Sequence, residues 1–267
     1  YSNSNVTLTM GGLGVLDFNQ GNSGNGIDAF DDKMPTAWEE PWGMGLGTGI
    51  ALVSGVGTKP NVQYKTPTVG GITVTLAHAP DMAGTDVADK GAGGFTAGSK
   101  GAGSDVTINV NPSFGTEILS GLNLFVGASQ IEHYTGNSSY DNNRYEGVGG
   151  LTLDLGPISL GYATSGISTG FTTTTTDTDW YKNHMYGVAF NINDDLSISY
   201  GKHESQAGYV DKTTKESVHM DITTAQIAYT MGGASVRLAD LEVDNASYQT
   251  AATYDREAKV LSVSLAF

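Results

Sequence analysis

Apolar side chains return at every second position in thirteen separate stretches of this chain. The last stretch shows the pattern most clearly. Leu261, Val263, Leu265 and Phe267 alternate with Ser262, Ser264 and Ala266. A period of two puts successive side chains on opposite faces of a β-strand, so this stretch predicts a strand with one apolar face that ends on an aromatic ring. The same alternation runs through Val6, Leu8 and Met10, through Leu16 and Phe18, through Val62 and Tyr64, and through Ile72, Val74 and Leu76. It continues at Val106–Ile108–Val110, Leu122–Leu124–Val126, Leu151–Leu153–Leu155 and Ile158–Leu160–Tyr162. Further strands carry Tyr186, Val188, Phe190 and Ile192; Leu196, Ile198 and Tyr200; Ala225, Ile227, Tyr229 and Met231; and Val236 and Leu238.

The connections alternate as well. Gly11-Gly12, Val69-Gly70-Gly71, Gly156-Pro157, Asn193-Asp194-Asp195 and Gly232-Gly233 are short and rich in turn formers. Long polar segments lie between them: Gln20 to Pro60, Ala79 to Gly103, Gly136 to Asn143, the threonine run at 172–176, Glu204 to Glu216, and Asp244 to Arg256. Tight turns at one end and long loops at the other are the pattern of a transmembrane β-barrel. A soluble β-sandwich also alternates, but it needs a second buried apolar set, and these strands have one band of similar length each. Strands facing hydrocarbon must pair along their edges, because lipid cannot satisfy a free backbone group. The expected fold is therefore all-β, an antiparallel transmembrane barrel. No linker divides residues 1–267, so a single domain is expected.

Composition supports this. Hydrophobic residues make up 39% of the chain and charged residues 15%, with 37 glycines; a water-lined barrel needs an apolar residue only at alternate positions. No run of about 18 apolar residues offers a transmembrane helix. The 28 acidic and 13 basic side chains leave a charge of −15, which argues against binding nucleic acid. Cysteine is absent, which removes thiolate chemistry. A start at Tyr1 rather than Met fits an exported chain whose leader has been removed.

With its terminal Phe267 and this alternation of turns and loops, the chain resembles the sixteen-stranded general porins of Gram-negative bacteria, most closely the alphaproteobacterial type. The resemblance implies an outer-membrane homotrimer in contact with the lipid bilayer and lipopolysaccharide, passing small hydrophilic solutes by passive diffusion. Thirteen strands against sixteen implies three strands upstream of Tyr1, so the chain is expected to lack its N-terminal part and to show a gap or a further chain beside its first strand. In that frame the second strand becomes the fifth. The connection at about 21–59 then falls where the family has its inward-folded constriction loop. This connection carries Asp28, Asp31, Asp32, Glu39 and Glu40 against Lys33, and its Phe30, Trp38 and Trp42 predict docking rather than free exposure. Parity sends Lys65, Arg144, Arg237, Asp17, Asp105, Asp154, Thr73, Thr107, Asn109 and Ser199 to the lumen. The resemblance implies that Lys65, Arg144 and Arg237 form a basic wall facing the acidic loop. The excess of carboxylates predicts a preference for cations.

Other chemistry is weakly signalled. Asp28, Asp31 and Asp32 could hold Ca²⁺ with backbone oxygens; no other cofactor is expected. Gly21 to Gly26 lacks the Lys-Ser/Thr of a phosphate loop. His78, His133, His184, His203 and His219 have no zinc-site spacing, and there is no G-x-S-x-G elbow. The chain is therefore read as a channel and not as an enzyme. The alternative is a surface receptor or adhesin barrel whose segment 21–55 projects outward to a partner while side chains plug the lumen. A barrel enzyme would need a tight catalytic set at its rim.

Overall fold

The computed structural model describes residues 3–57, 59–82, 100–112, 120–133, 142–171, 177–213 and 215–265. Phe267, the threonine run at 172–176 and most of the glycine-rich connection before residue 100 lie outside them. Thirteen strands form: β1 (Ser4–Thr9), β2 (Val15–Gln20), β3 (Asn61–Lys65), β4 (Ile72–Ala79), β5 (Lys100–Val110), β6 (Leu122–His133) and β7 (Arg144–Leu155), then β8 (Ile158–Ser168), β9 (Thr178–Asn191), β10 (Leu196–Tyr209), β11 (Val218–Met231), β12 (Ala234–Asp244) and β13 (Arg256–Leu265). They lie in one sheet in chain order, each antiparallel to the next. Each of the thirteen alternating stretches is a strand. Among the described residues β1 and β13 are the edges of the sheet.

The outer face shows why the sequence alternates. Every strand exposes large apolar or aromatic side chains, from Val6 at 68% and Phe18 at 47% to Ile198, Ile227, Val236 and Leu261. A soluble protein rarely leaves so continuous an apolar band bare, and hydrocarbon is the solvent that suits it. The ring centroids of Tyr162 and Tyr186 lie 5.2 Å apart near the upper margin of this band. The strands run beyond it. β9, β10 and β11 are each 14 residues long, and toward the long loops the outward positions become polar: Lys182, His184, Lys202, Glu204 and Asp221. Lys202 pairs with Glu204 at 2.6 Å, and Lys259 with Asp240 at 2.6 Å. Hydrophobic alternation ends at the band, so the sequence pattern under-reads these strands.

The sheet is curved into a trough around segment 21–59. The Ala51 N–H donates to the Tyr248 hydroxyl at 3.0 Å, beyond β12, while its carbonyl accepts from Asn183 Nδ2 on β9 at 2.9 Å. Strands spaced about 4.8 Å apart would hold those partners well apart if the sheet were flat. Apolar clusters occur on the inner face, but they form where the segment docks: Ile27, Phe30, Met34 and Val53 pack with Phe125, Val148, Ala163, Ile167 and Met185. The inner face is otherwise polar, with Thr107, Ser129, Ser165, Asn183, Ser205, Thr224 and Gln226 buried there. This is not the second apolar face that a sandwich requires.

Candidate functional site

The segment between β2 and β3 crosses the inner face and returns, fixed at three places. At its root, two inward carboxylates hold backbone N–H groups. Asp105 Oδ2 on β5 accepts from Ile27 N at 2.9 Å and from Val56 N at 3.1 Å, so a single carboxylate joins the outgoing and returning limbs. Glu146 Oε2 on β7 accepts from Ser54 N at 2.6 Å and Gly55 N at 2.9 Å, while its other oxygen pairs with Arg144 Nε at 2.6 Å. Gln63 on β3 accepts from Gly26 N at 2.8 Å. This close approach needs glycine. Gly26 and Gly55 have positive φ, 58° and 47°, and a Cβ on either would overlap the Asp105 carboxylate.

Across the middle, the wall is cut away to admit the segment. Gly161, Gly187 and Gly201 are cross-strand neighbours on β8, β9 and β10. A Cβ on Gly161 would overlap Pro35, one on Gly187 would meet Met34 and Pro35 at 3.0 Å, and one on Gly201 would meet Pro41 at 2.9 Å. On β6, Gly127 does the same for Ile27, and the Phe30 ring meets Phe125 in a tilted contact with centroids 4.9 Å apart. Inward parity of these strand glycines was the signal available in the sequence.

At the apex, Gln226 and Ser199 provide the wall contacts. Gln226 Oε1 accepts from Trp38 N at 2.9 Å and Glu39 N at 3.2 Å, and its Nε2 donates to Glu39 O at 2.5 Å. Ser199 Oγ accepts from Ala37 N at 2.9 Å. Glu40 Oε1 accepts from Met34 N at 3.1 Å. The other Glu40 oxygen lies 3.5 Å from Nε2 of the fully buried His203 without forming a hydrogen bond. The returning limb is held by Arg256, which donates to Leu46 O at 3.1 Å and Gly47 O at 2.7 Å. The Tyr248 hydroxyl also bonds Ser205 at 2.7 Å, and its burial pushes its pKa up to about 12.

The acidic residues do not behave alike. Burial and the neighbouring Asp28, Asp32 and Glu40 push the Asp31 carboxyl up to about 7. Asp28 is raised by burial, and by Asp32 and Glu146, against a stabilising bond from Gly24 N at 2.8 Å. Glu40 is raised by burial, which outweighs the lowering influence of His203. Asp32 and Glu39 are exposed. Among the described residues no group of three such side chains converges as metal ligands, and Asp28, Asp31 and Asp32 interact as neighbouring charges.

The inward wall residues also divide by role. Asp105 is 4% exposed beneath the segment, and with Glu146 it serves as an anchor; it presents no charge to open space. Lys65, Arg144 and Arg237 do not gather into one cluster. Arg144 is tied to Glu146, Lys65 lines a cavity with Lys33, and Arg237 lines another beside Ala37, Asp194 and Asp195 at the short-turn end. Asp154 accepts from Ser159 Oγ at 2.5 Å across the β7–β8 turn. Asp17 faces Thr7 and Gln63 on the neighbouring strands. Sequence reading missed Glu146, Gln226, His203, Asn183 and Tyr248 as partners of the segment, because their contacts span up to 197 positions.

An antiparallel sheet in chain order, with an apolar exterior and a long segment seated on its polar inner face, has the architecture of an outer-membrane porin barrel. No protein-family model matches the sequence, and no curated protein matches it significantly. Solved structures do. The chain is similar to the anion-selective porin from Comamonas acidovorans, with a TM-score of 0.65 at 15% identity over 99% of this chain and 77% of that one. It is similar to Salmonella typhi OmpF in complex with daunomycin, with a TM-score of 0.69 at 14% identity over 98% and 77%. For the outer membrane channel DcaP of Acinetobacter baumannii the TM-score is 0.60 at 9% identity over 95% and 72%. What these proteins share with the chain is the fold.

Proposed function

We propose that the chain forms a porin of the Gram-negative outer membrane, a passive diffusion channel for small hydrophilic solutes and ions. The observation that carries this reading is the seating of segment 21–59 along the polar inner face, where it would narrow a water-filled passage without sealing it. No bond is made or broken in this mechanism. Transport is sieving by the narrowed cross-section, biased by charge. Asp28, Asp31, Asp32 and Glu39 on the segment, within a chain of net charge −15, favour cations. Lys65 and Arg237 give the wall local positive charge at two separate places, whereas Arg144 is ion-paired with Glu146. One structural neighbour is titled an anion-selective porin; the selectivity proposed here rests on this chain's own carboxylates. Assembly as a homotrimer in contact with lipopolysaccharide is part of the proposal and follows from the resemblance. A segment packed against the inner face favours a channel over a receptor whose segment projects to a partner.

The test is single-channel recording in planar bilayers with a salt gradient. Discrete conductance steps with a reversal potential on the cation side are expected. Absence of steps would remove the pore, and an anion-side reversal would remove the role given to the acidic segment.

A further inference from the structure

At the short-turn end of the inner face, the segment and the wall enclose a cavity of about 380 Å³. Its lining includes Lys33 from the segment, Lys65 from β3, Thr73 from β4, Thr107 and Asn109 from β5, and Asn123 from β6. Among the described residues no carboxylate lines it. Among the described residues neither lysine is ion-paired, whereas Arg144, Lys202 and Lys259 all are. In a chain with 28 acidic and 13 basic side chains, two unpaired ammonium groups sharing a cavity with no carboxylate among its described lining residues form a local well for an anion. The segment's acidic residues are not part of this lining, and Asp28 approaches it only through its Oδ2, which accepts from Gly24 N at 2.8 Å.

The remaining walls specify more than charge. Threonine hydroxyls and asparagine amides both donate and accept hydrogen bonds, which matches the hydroxyls of a sugar. The volume falls in the range of small-molecule sites. Two ammonium groups match the charge of a phosphate monoester, about −1.5 to −2 at neutral pH, and lysine binds phosphate as a point charge. We propose that this cavity is a solute subsite for a small hydroxylated organic anion of the sugar-phosphate class. The proposal rests on the reading of the chain as a diffusion channel.

Glucose 6-phosphate, inorganic phosphate and glucose are the probes. Phosphorus NMR line broadening on the detergent-solubilised protein reads binding without requiring conduction, and planar-bilayer current reads its effect on flow. Glucose 6-phosphate is expected to broaden saturably at millimolar concentration and to reduce the cation current reversibly, while glucose, which carries no phosphorus and is read by current alone, leaves the current unchanged. The double variant Lys33→Gln, Lys65→Gln should weaken binding at least tenfold while keeping the wild-type far-ultraviolet circular dichroism. Asn109→Leu should weaken glucose 6-phosphate more than inorganic phosphate. Absence of broadening, or equal affinity in the double variant, would overturn the subsite. Equal loss of both phosphates in Asn109→Leu would overturn its sugar component. Binding without conduction would support the subsite and remove the channel; conduction without binding would do the reverse.

Discussion

The root and the apex of segment 21–59 are held to the same sheet by different chemistry. At the root, two carboxylates receive four backbone N–H groups, with Asp105 closing both limbs on itself and Glu146 braced by Arg144. At the apex, one glutamine amide, one serine hydroxyl and the approach of Glu40 to His203 serve the same purpose. Hydrogen bonds to ionised groups are roughly twice as strong as neutral ones, and the root glycines, having no Cβ, let the backbone come close enough to make them. The root therefore fixes where the segment enters the trough, and the apex sets how far it reaches across. Changes at the root should be felt throughout the molecule, and changes at the apex should be felt mainly in the proposed passage.

The largest effect is expected from Gly55→Val. It would place a Cβ against Asp105 and Ile27 at a positive φ, and strain plus lost bonds should cost about 4 kcal/mol, read as the shift in the urea unfolding midpoint in detergent. Next comes Asp105→Leu, which removes both clasps and should cost about 3 kcal/mol and broaden the distribution of single-channel conductances. If the midpoint were unchanged, the root would not be the stronger end. Gln226→Leu should cost about 1 to 2 kcal/mol, with added open-channel noise and no change in strand content by circular dichroism. A larger loss than for Asp105→Leu would reverse the comparison.

The smallest effect is a pH dependence at the segment's acidic cluster. Asp31 holds its proton to about pH 7 in the folded protein against an ordinary value of 3.8. Between those values the folded state binds more protons than the unfolded state, so this group's contribution to stability falls as pH rises through that window. The same ionisation adds a negative charge to the cluster, so cation preference should rise between about pH 6 and 8. Asp31→Asn should flatten the dependence of reversal potential on pH; a slope retained in that variant would show that another group carries it.

The strands were legible because their cause is local. Alternation at Leu261, Val263 and Leu265 or at Ile72, Val74 and Leu76 records which face meets an apolar solvent, and parity also placed Lys65, Asp105 and Asn109 on the inner face. The extension of β9, β10 and β11 beyond the band was not legible, because outward residues such as Lys182, Glu204 and Asp221 break the hydrophobic period without ending the backbone ladder. The anchoring role of Asp105 was not legible for a related reason. Parity says which way a side chain points but not what lies over it, and Ile27 and Val56 cover it from 78 and 49 positions away. Arg144 and Glu146 show the same limit, since the expected wall charge is cancelled by a neighbour on its own strand.

The chain's own order of residues determined the strands, their faces, the alternation of short and long connections and the position of an unusually acidic segment, because each follows from a repeat of two or from composition within a few residues. Only the tertiary structure decided that this segment lies along a row of strand glycines, that Asp105 and Glu146 hold its root while Gln226 holds its apex, and that Lys33 and Lys65 share one cavity. Those outcomes depend on curving the sheet until distant strands meet the same few residues, and backbone hydrogen bonds made at that distance carry no periodic signature in the sequence.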